Sequence, residues 1–187
     1  MIDNVQSGTV ARIGSMQKRI ERLERKSSTS ECNVVQIFKV NIDKIFLFSG
    51  GAEELVEYDK TSVGLAAALS DAIAYDYVWL PNGTYIGDFT VPAGVLLQCA
   101  GWNTHINGTV VLGNESTLTD CKITNVVSDA DKVFAVSAPD SGFCMILNCY
   151  ITCNNALGEG YGISTYAGGD VYVYDSVVFG STGDLEC

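Results

Sequence analysis

The residues of this 187-residue chain that could perform acid–base chemistry are mainly carboxylates. Asp129, Asp131, Glu159 and Asp170 are candidates for the paired carboxylates of a glycosidase, which act about 5–10 Å apart. Residues 31–187 hold 19 acids, however, and Asp129 and Asp131 lie in a predicted loop. We therefore interpret Asp129 and Asp131 as residues of a solvated loop, and we assign no catalytic residue.

Nucleophilic and metal chemistry have equally little support. His105 is the single histidine, and no serine and aspartate can be placed around it as a triad. The seven cysteines include no Cys-x-x-Cys pair, and Cys144, Cys149 and Cys153 have no histidine near them in sequence. The sequence predicts reduced thiols, no metal site and no cofactor.

Two tyrosines form the candidate contact surface. Tyr172 and Tyr174 share one face of a predicted strand, and Val171 and Val173 then face the core. An exposed pair of tyrosines suits contact with a protein or a sugar. The alternative is that these rings pack between subunits.

Charge and hydropathy exclude two classes of partner, and charge divides the chain. With 22 acidic and 11 basic residues, the net charge is −11, so we expect no nucleic-acid partner. No stretch approaches the roughly 18 apolar residues of a membrane span, so we expect no membrane insertion. Residues 1–30 carry a net +3 and residues 31–187 a net −14. We predict an attachment segment at 1–30, a small β neck at 31–60, and a main domain at 61–187.

The first segment has the pattern of a short coiled coil. Apolar residues follow one another at spacings of 3, 4 and 3, at Ile13, Met16, Ile20 and Leu23. Residues 19–24, with Arg19 and Glu24 at the ends, resemble the trimerisation motif of short coiled coils. The Arg19 guanidinium can pair with a carboxylate on the next helix. The pattern favours a homotrimer, and the alternative is a solvated helix with one apolar stripe.

The sequence patterns of the neck and of the segment after it predict two strands and one helix. Residues 33–38 (NVVQIF) and Lys44–Phe48 are rich in β-branched and aromatic residues, and a turn at 41–43 would make them a hairpin. Residues 62–74 have the apolar spacing of an amphipathic helix, with Ser62 as its N-cap.

An internal repeat occupies the rest of the chain. Four similar segments start at residues 96, 118, 146 and 173, and so are 22, 28 and 27 residues apart. Strand-like repeats of this length predict an all-β fold, a parallel β-helix of about four rungs. The predicted core ladder consists of Leu96, Cys99, Leu118, Cys121, Ile123, Ile146, Cys149, Ile151, Val173, Ser176 and Val178. Gln98, Asp120, Asn148 and Asp175 would form turn hydrogen bonds at the corner beside it.

From residue 62 to residue 179 the chain resembles the pectin-lyase-like, right-handed parallel β-helix superfamily. The resemblance rests on the helix leading to 78–85 (VWLPNGTY), then 91–95 (VPAGV), then the repeated polar-Cys-x-aliphatic rungs. It implies a right-handed β-helix with a short capping helix. The superfamily includes pectin-degrading enzymes, adhesins and trimeric phage tail spikes or fibres.

The resemblance implies a function as well. We expect a homotrimeric structural protein of a virus particle, a phage tail fibre or spike, assembled in the host cytoplasm. Its partners would be other virion proteins and a host-surface glycan. The alternatives are a polysaccharide depolymerase of the same fold and a cellular adhesin. Elimination in this superfamily uses an Arg or Lys base, and the β-helix segment has no arginine and only Lys122 and Lys132.

Overall fold

A computed structural model describes residues 43–49, 55–129, 131–165 and 169–186. All of them belong to the second of two compact units, Asp43–Cys187. The predicted neck strand at 33–38 lies outside the described residues. So do the predicted coiled-coil positions, Ile13, Met16, Arg19, Ile20, Leu23 and Glu24.

The described residues form seventeen strands and one helix. The helix is α1, Ser62–Asp71. The strands are β1 (Lys44–Phe48), β2 (Leu55–Asp59), β3 (Tyr77–Leu80), β4 (Gly83–Ile86), β5 (Phe89–Val91), β6 (Leu96–Cys99), β7 (Thr104–Asn107), β8 (Val110–Leu112), β9 (Thr117–Thr119), β10 (Lys122–Val127), β11 (Val133–Ser137), β12 (Gly142–Leu147), β13 (Tyr150–Asn155), β14 (Gly160–Ser164), β15 (Gly169–Tyr174), β16 (Val177–Gly180) and β17 (Gly183–Glu186).

The strands form three sheets, and the chain visits them in turn. Sheet A has the order β15-β12-β9-β6-β3-β1-β2, sheet B the order β16-β13-β10-β7-β4, and sheet C the order β17-β14-β11-β8-β5. Three successive strands, one in each sheet, make one coil, and all pairs between coils are parallel. The protein is therefore mostly β, and the stacking is compatible with a β-helix-like fold.

The stack has five coils, where the sequence predicted about four. Coil 1 is β3–β5, coil 2 is β6–β8, coil 3 is β9–β11, coil 4 is β12–β14 and coil 5 is β15–β17. Tyr77 pairs with Leu96 and Leu96 with Thr117, so the first two coils advance by only 19 and 21 residues. The pairs Thr117–Met145 and Met145–Tyr172 give the longer steps of 28 and 27. The prediction had assumed longer coils throughout and missed coil 1.

The helix α1 packs beside coil 1 and is shorter than predicted. Its N-cap is Thr61, whose Oγ1 accepts a hydrogen bond from the Gly64 amide at 3.0 Å. Ser62, the predicted cap, is the first helical residue, and its hydroxyl instead accepts from the Ile86 amide at 2.7 Å. Leu65 is fully buried in the core, so the apolar side of α1 covers apolar side chains of the stack. No helix among the described residues is long and apolar enough to cross a membrane.

The described part of the predicted neck extends sheet A. The predicted strand β1 lies between β2 and β3 and is antiparallel to both. Its Lys44 ammonium is 2.6 Å from a carboxylate oxygen of Asp59 on β2. Phe46 and Phe48 on β1 pair with aromatic residues of β3, and the Phe48 ring centroid is 5.1 Å from that of Tyr77.

The interior ladder is in register except in coil 2, where Leu96 and Cys99 are each displaced by one residue from the predicted alignment. Leu97, Leu118, Ile146 and Val173 occupy equivalent positions in sheet A. Leu96 was predicted to head this ladder, but it pairs with Thr117 and is only partly buried. The turn after β6 spans residues 100–103, whereas the turn after β9 spans only 120–121. The cysteines of the two segments are therefore not at equivalent positions, and an alignment based on them displaces coil 2 by one residue.

A second ladder follows in sheet B, where the chain has turned. Ile123, Ile151 and Val178 are paired in register, and the first two are fully buried. Cys121, Cys149 and Ser176 directly precede these strands, and both cysteines are fully buried.

The bend between the two ladders comes from residues with positive φ. Asp120, Asn148 and Asp175 have φ of 62°, 50° and 50°, a region that short polar residues tolerate best after glycine. The Asn148 side-chain amide donates to the Asp120 carboxylate at 2.7 Å, which joins two adjacent corners. Gln98, predicted to lie at the same corner, is instead within β6 and pairs with Thr119.

Candidate functional site

Sheet B differs in charge from the rest of this acidic chain. Its five strands contain no aspartate or glutamate, although the chain carries 22 of them. Their basic residues are Lys122 and His105. Sheet B is therefore the one sheet of the described residues whose strands carry no carboxylate.

Strand alternation decides which residues of sheet B face outward. Ile106, Ile123 and Ile151 are fully buried and point into the stack, so the residues beside them point out. The paired registers place these outward residues in two columns. One column consists of Thr84, His105, Lys122, Tyr150 and Val177, and the other of Ile86, Asn107, Thr124, Thr152 and Phe179.

Three aromatic rings form a row along this face, hereafter the aromatic row. Trp102 belongs to the turn of coil 2, Tyr150 to coil 4 and Phe179 to coil 5. The ring centroids of Trp102 and Tyr150 are 6.1 Å apart, and those of Tyr150 and Phe179 are 6.2 Å apart. Trp102 and Phe179 are 49% and 52% exposed, so the row is open to solvent at both ends.

Trp102 is held in place by a hydrogen bond across two coils. Its indole Nε1 donates to the backbone oxygen of Asn148 at 2.8 Å. Since Trp102 lies in coil 2 and Asn148 at the corner of coil 4, the indole spans the edge of coil 3. A ring held in this way loses little further freedom when a ligand binds.

A cation lies beside the row. The Lys122 ammonium is 5.9 Å from the centroid of the Tyr150 ring. Lys122 makes no ion pair with any described residue. The other lysines of the described ranges each have a carboxylate partner: Lys44 with Asp59, Lys60 with Asp43, and Lys132 with Glu159.

His105 lies next to Lys122 and favours the neutral form. Burial, followed by the nearby Lys122 charge, lowers the pKa of the imidazole below its ordinary value of 6.5. Its Nε2 atom is shielded from solvent and has no hydrogen-bond partner among the described residues. His105 is therefore placed to support the outer face of sheet B and is not paired with a carboxylate or a nucleophile.

This set of groups suits contact better than bond cleavage. Aromatic faces stack on apolar faces of a ligand, and hydroxyl, amide and ammonium groups provide hydrogen bonds. The strands of sheet B supply no carboxylate for acid–base catalysis of glycoside cleavage. Within the part of the chain that the structure describes, no three His, Cys, Asp or Glu residues are grouped to hold a metal ion.

Three of the four candidate carboxylates lie in loops, and the fourth, Asp170, is on β15, where it pairs with Phe143. A carboxylate oxygen of Asp129 accepts from the Asp131 amide at 3.1 Å, and the Asp129 amide donates to the Asn155 side chain. Glu159 lies 3.4 Å from the Lys132 ammonium and accepts from the Tyr161 hydroxyl. These contacts agree with the interpretation of Asp129 and Asp131 as loop residues.

The predicted tyrosine surface lies on another sheet. Tyr172 and Tyr174 are on the outer face of sheet A, where they pair with Met145 and Leu147. The Tyr172 ring is in edge contact with the Phe143 ring, at 6.1 Å between centroids. The two tyrosines share a face, as the alternation predicted, but they are not part of the aromatic row.

The sequence reasoning missed the aromatic row. Tyr150 directly follows Cys149, and Phe179 lies in the next repeat, so the register alone could have placed both on one face. Trp102 carried no such signal, because it lies in a four-residue turn where the other coils have turns of two residues. Comparison with protein-family models, with curated proteins and with solved structures gives no match to this chain.

Proposed function

We propose that this protein is a structural attachment protein of a virus particle, a homotrimeric phage tail fibre or tail spike component located in the virion. It would contact other virion proteins and bind a glycan of the host surface. The observation that carries the proposal is the aromatic row of Trp102, Tyr150 and Phe179 on the carboxylate-free strands of sheet B.

The row has the dimensions and chemistry of a glycan platform. Sugar rings present flat faces of C–H groups, which pack on aromatic rings, and hydroxyl edges, which need hydrogen-bond partners. Thr124, Thr152 and Asn107 supply such partners in the neighbouring column. Because the row runs from coil to coil, an extended glycan would lie along the stack and contact successive coils.

The fold supports a role as a rigid attachment module. Stacked coils hold outward residues at fixed spacings of about 4.8 Å, so a binding face is preformed. We propose that the coil is right-handed, as in the pectin-lyase-like superfamily, because crossovers between parallel strands are overwhelmingly right-handed. The heptad pattern from Ile13 to Leu23, with Arg19 and Glu24, supports assembly into a trimer.

Binding and mass measurements on the full-length chain test the proposal. Light scattering should give three times the monomer mass. Biolayer interferometry on immobilised host-surface polysaccharide should show binding that Trp102→Ala and Phe179→Ala each weaken about tenfold or more. Ile73→Ala, at a residue that is 67% exposed and distant in sequence from the row, is the matched control and should bind normally.

The same experiment distinguishes the other outcomes. If Tyr174→Ala abolished binding and Trp102→Ala did not, the contact surface would be on sheet A and the proposed site would be wrong. New reducing ends or unsaturated sugars in the incubated polysaccharide would instead show a depolymerase. A monomeric mass, or no binding to any host-surface polysaccharide, would contradict the attachment function.

A further inference from the structure

Two thiols face each other across adjacent coils in the core. The sulfur atoms of Cys121 and Cys149 are 3.6 Å apart, and both side chains are fully buried. The Tyr150 amide donates to the Cys121 backbone oxygen at 2.9 Å, so the backbones of coils 3 and 4 are hydrogen-bonded at this point. The thiol contact is therefore fixed by strand register.

The backbone spacing is compatible with a covalent bond. Paired strands are about 4.8 Å apart, which falls within the range of Cα separations that disulfides bridge. To form the bond, the two sulfur atoms would have to move from 3.6 Å apart to about 2.05 Å apart. Two other described thiols are less well placed. Cys144 makes no thiol contact with a described residue, and Cys153 donates to the Val133 backbone oxygen at 3.4 Å.

We propose that Cys121 and Cys149 form an oxidation site at which a disulfide joins coil 3 to coil 4. With a peroxide as oxidant, one sulfur attacks a peroxide oxygen, breaking the O–O bond and giving a sulfenic acid and water. The second sulfur then attacks the first, and the sulfenic hydroxyl leaves as water. Two thiols lose two protons and two electrons in total, and one hydrogen peroxide is reduced to two waters.

Cys99 also contacts Cys121 and is the alternative partner for a disulfide with it. Hydrogen bonding to Cys121 and burial raise the pKa of Cys149. Hydrogen bonding to Cys149 lowers the pKa of Cys121, but contact with Cys99 and burial outweigh it and raise that pKa overall. Since the thiolate is the reacting form, the folded stack resists oxidation, and the bond forms fastest while the coils assemble. The Cys121 and Cys149 sulfurs are in contact at 3.6 Å, and we therefore assign the bond to this pair.

The site would change stability, independently of what the protein binds. The bond would join two cysteines that are 28 positions apart, and the closed loop restricts the unfolded chain. In the virion role proposed above, on which this step rests, a particle that leaves a reducing cytoplasm would keep a stack with a covalent link at its centre. The oxidised form should unfold at a higher temperature than the reduced form.

Peptide mapping of the full chain tests the assignment. Cys32→Ser and Cys187→Ser remove the two cysteines outside the described residues, and the natural sequence is mapped in parallel. Each protein is refolded in a mixture of oxidised and reduced glutathione, and native protein is also incubated with hydrogen peroxide. Free thiols are alkylated and the peptides are separated without reduction.

We expect a linked Cys121–Cys149 peptide, with Cys99, Cys144 and Cys153 alkylated, and a higher thermal midpoint that dithiothreitol reverses. Cys144→Ala is the matched control and should keep the link, whereas Cys149→Ala should lose it. A protein with a native circular dichroism spectrum and all five thiols alkylated in both arms would overturn the proposal. So would a link from Cys121 to Cys99, or a link that leaves the midpoint unchanged.

Discussion

At the residue scale, His105 shows how the outer face of sheet B differs from an ordinary exposed surface. It lies between Thr84 and Lys122 in the outer column. Its Nε2 atom is shielded from solvent without a hydrogen-bond partner among the described residues. Burial and the Lys122 charge both disfavour the imidazolium form, so the folded protein holds this imidazole neutral more firmly than the unfolded chain does.

This difference predicts a pH-dependent loss of stability. Below the ordinary imidazole pKa of 6.5, the unfolded chain binds a proton that folded His105 resists, so protonation favours unfolding. The contribution of His105 to stability is therefore complete above that pH and is lost as the pH falls. His105→Gln should lose less stability than the natural protein between about pH 7 and about pH 5. Urea unfolding midpoints at both pH values measure this, and an identical fall in the two proteins would contradict the prediction.

The limits of sequence reasoning are visible in single residues. Alternation placed Tyr172 and Tyr174 on one face, because the side-chain period of a strand is independent of its neighbours. The mistaken position of Leu96 arose because the repeat was aligned by cysteines across turns of different length. Trp102 could not have been placed beside Tyr150 from sequence, because their contact depends on the path of a single turn.

At the scale of elements, the helix α1 is positioned by its first turn. The Thr61 hydroxyl oxygen accepts from the Gly64 amide, and the next residue, Ser62, connects the helix to β4 through the Ile86 amide. Leu65 and Leu69 then reach the core. The N-terminal turn thus determines both where α1 begins and which side it presents to the stack.

Removal of this cap gives a second prediction. Thr61→Ala leaves the Gly64 amide without its partner and should lower the free energy of unfolding by about 1 kcal/mol. Thr61→Ser keeps the hydroxyl oxygen and should have a stability within about 0.5 kcal/mol of the natural protein. Urea denaturation of the three proteins measures the difference. Equal losses in both variants would show that the methyl group of Thr61, and not its oxygen, stabilises the helix.

Which elements the sequence predicts depends on how local their signals are. The strand β1 and the helix α1 have a composition and a periodicity of their own, and both are present with similar bounds. The strand β2 was not predicted, because its acidic and apolar residues do not alternate regularly. Coil 1 was missed because it has no cysteine at the corner that defined the repeat.

At the scale of the whole molecule, the five coils interact mainly with their immediate neighbours. Each strand of coils 2–4 pairs with the coil before it and the coil after it. The strands β15, β16 and β17 of coil 5 are the edges of their sheets. Val173 is 37% exposed although it pairs with fully buried Ile146, so the interior opens at this end.

This asymmetry predicts a gradient of local stability along the stack. In coil 4, the Tyr150 amide donates to the Cys121 backbone oxygen at 2.9 Å, and coil 5 pairs with the far side of coil 4. In coil 5, the Val177 amide donates to the Cys149 backbone oxygen at the same distance, but no described strand lies beyond coil 5. In a stack with nearest-neighbour stabilisation, the last unit opens most readily. Hydrogen exchange followed by mass spectrometry should therefore show amides of β13 exchanging about tenfold or more slowly than those of β16. Equal protection of the two strands would contradict this gradient and would indicate that another polypeptide covers coil 5 in the assembled protein.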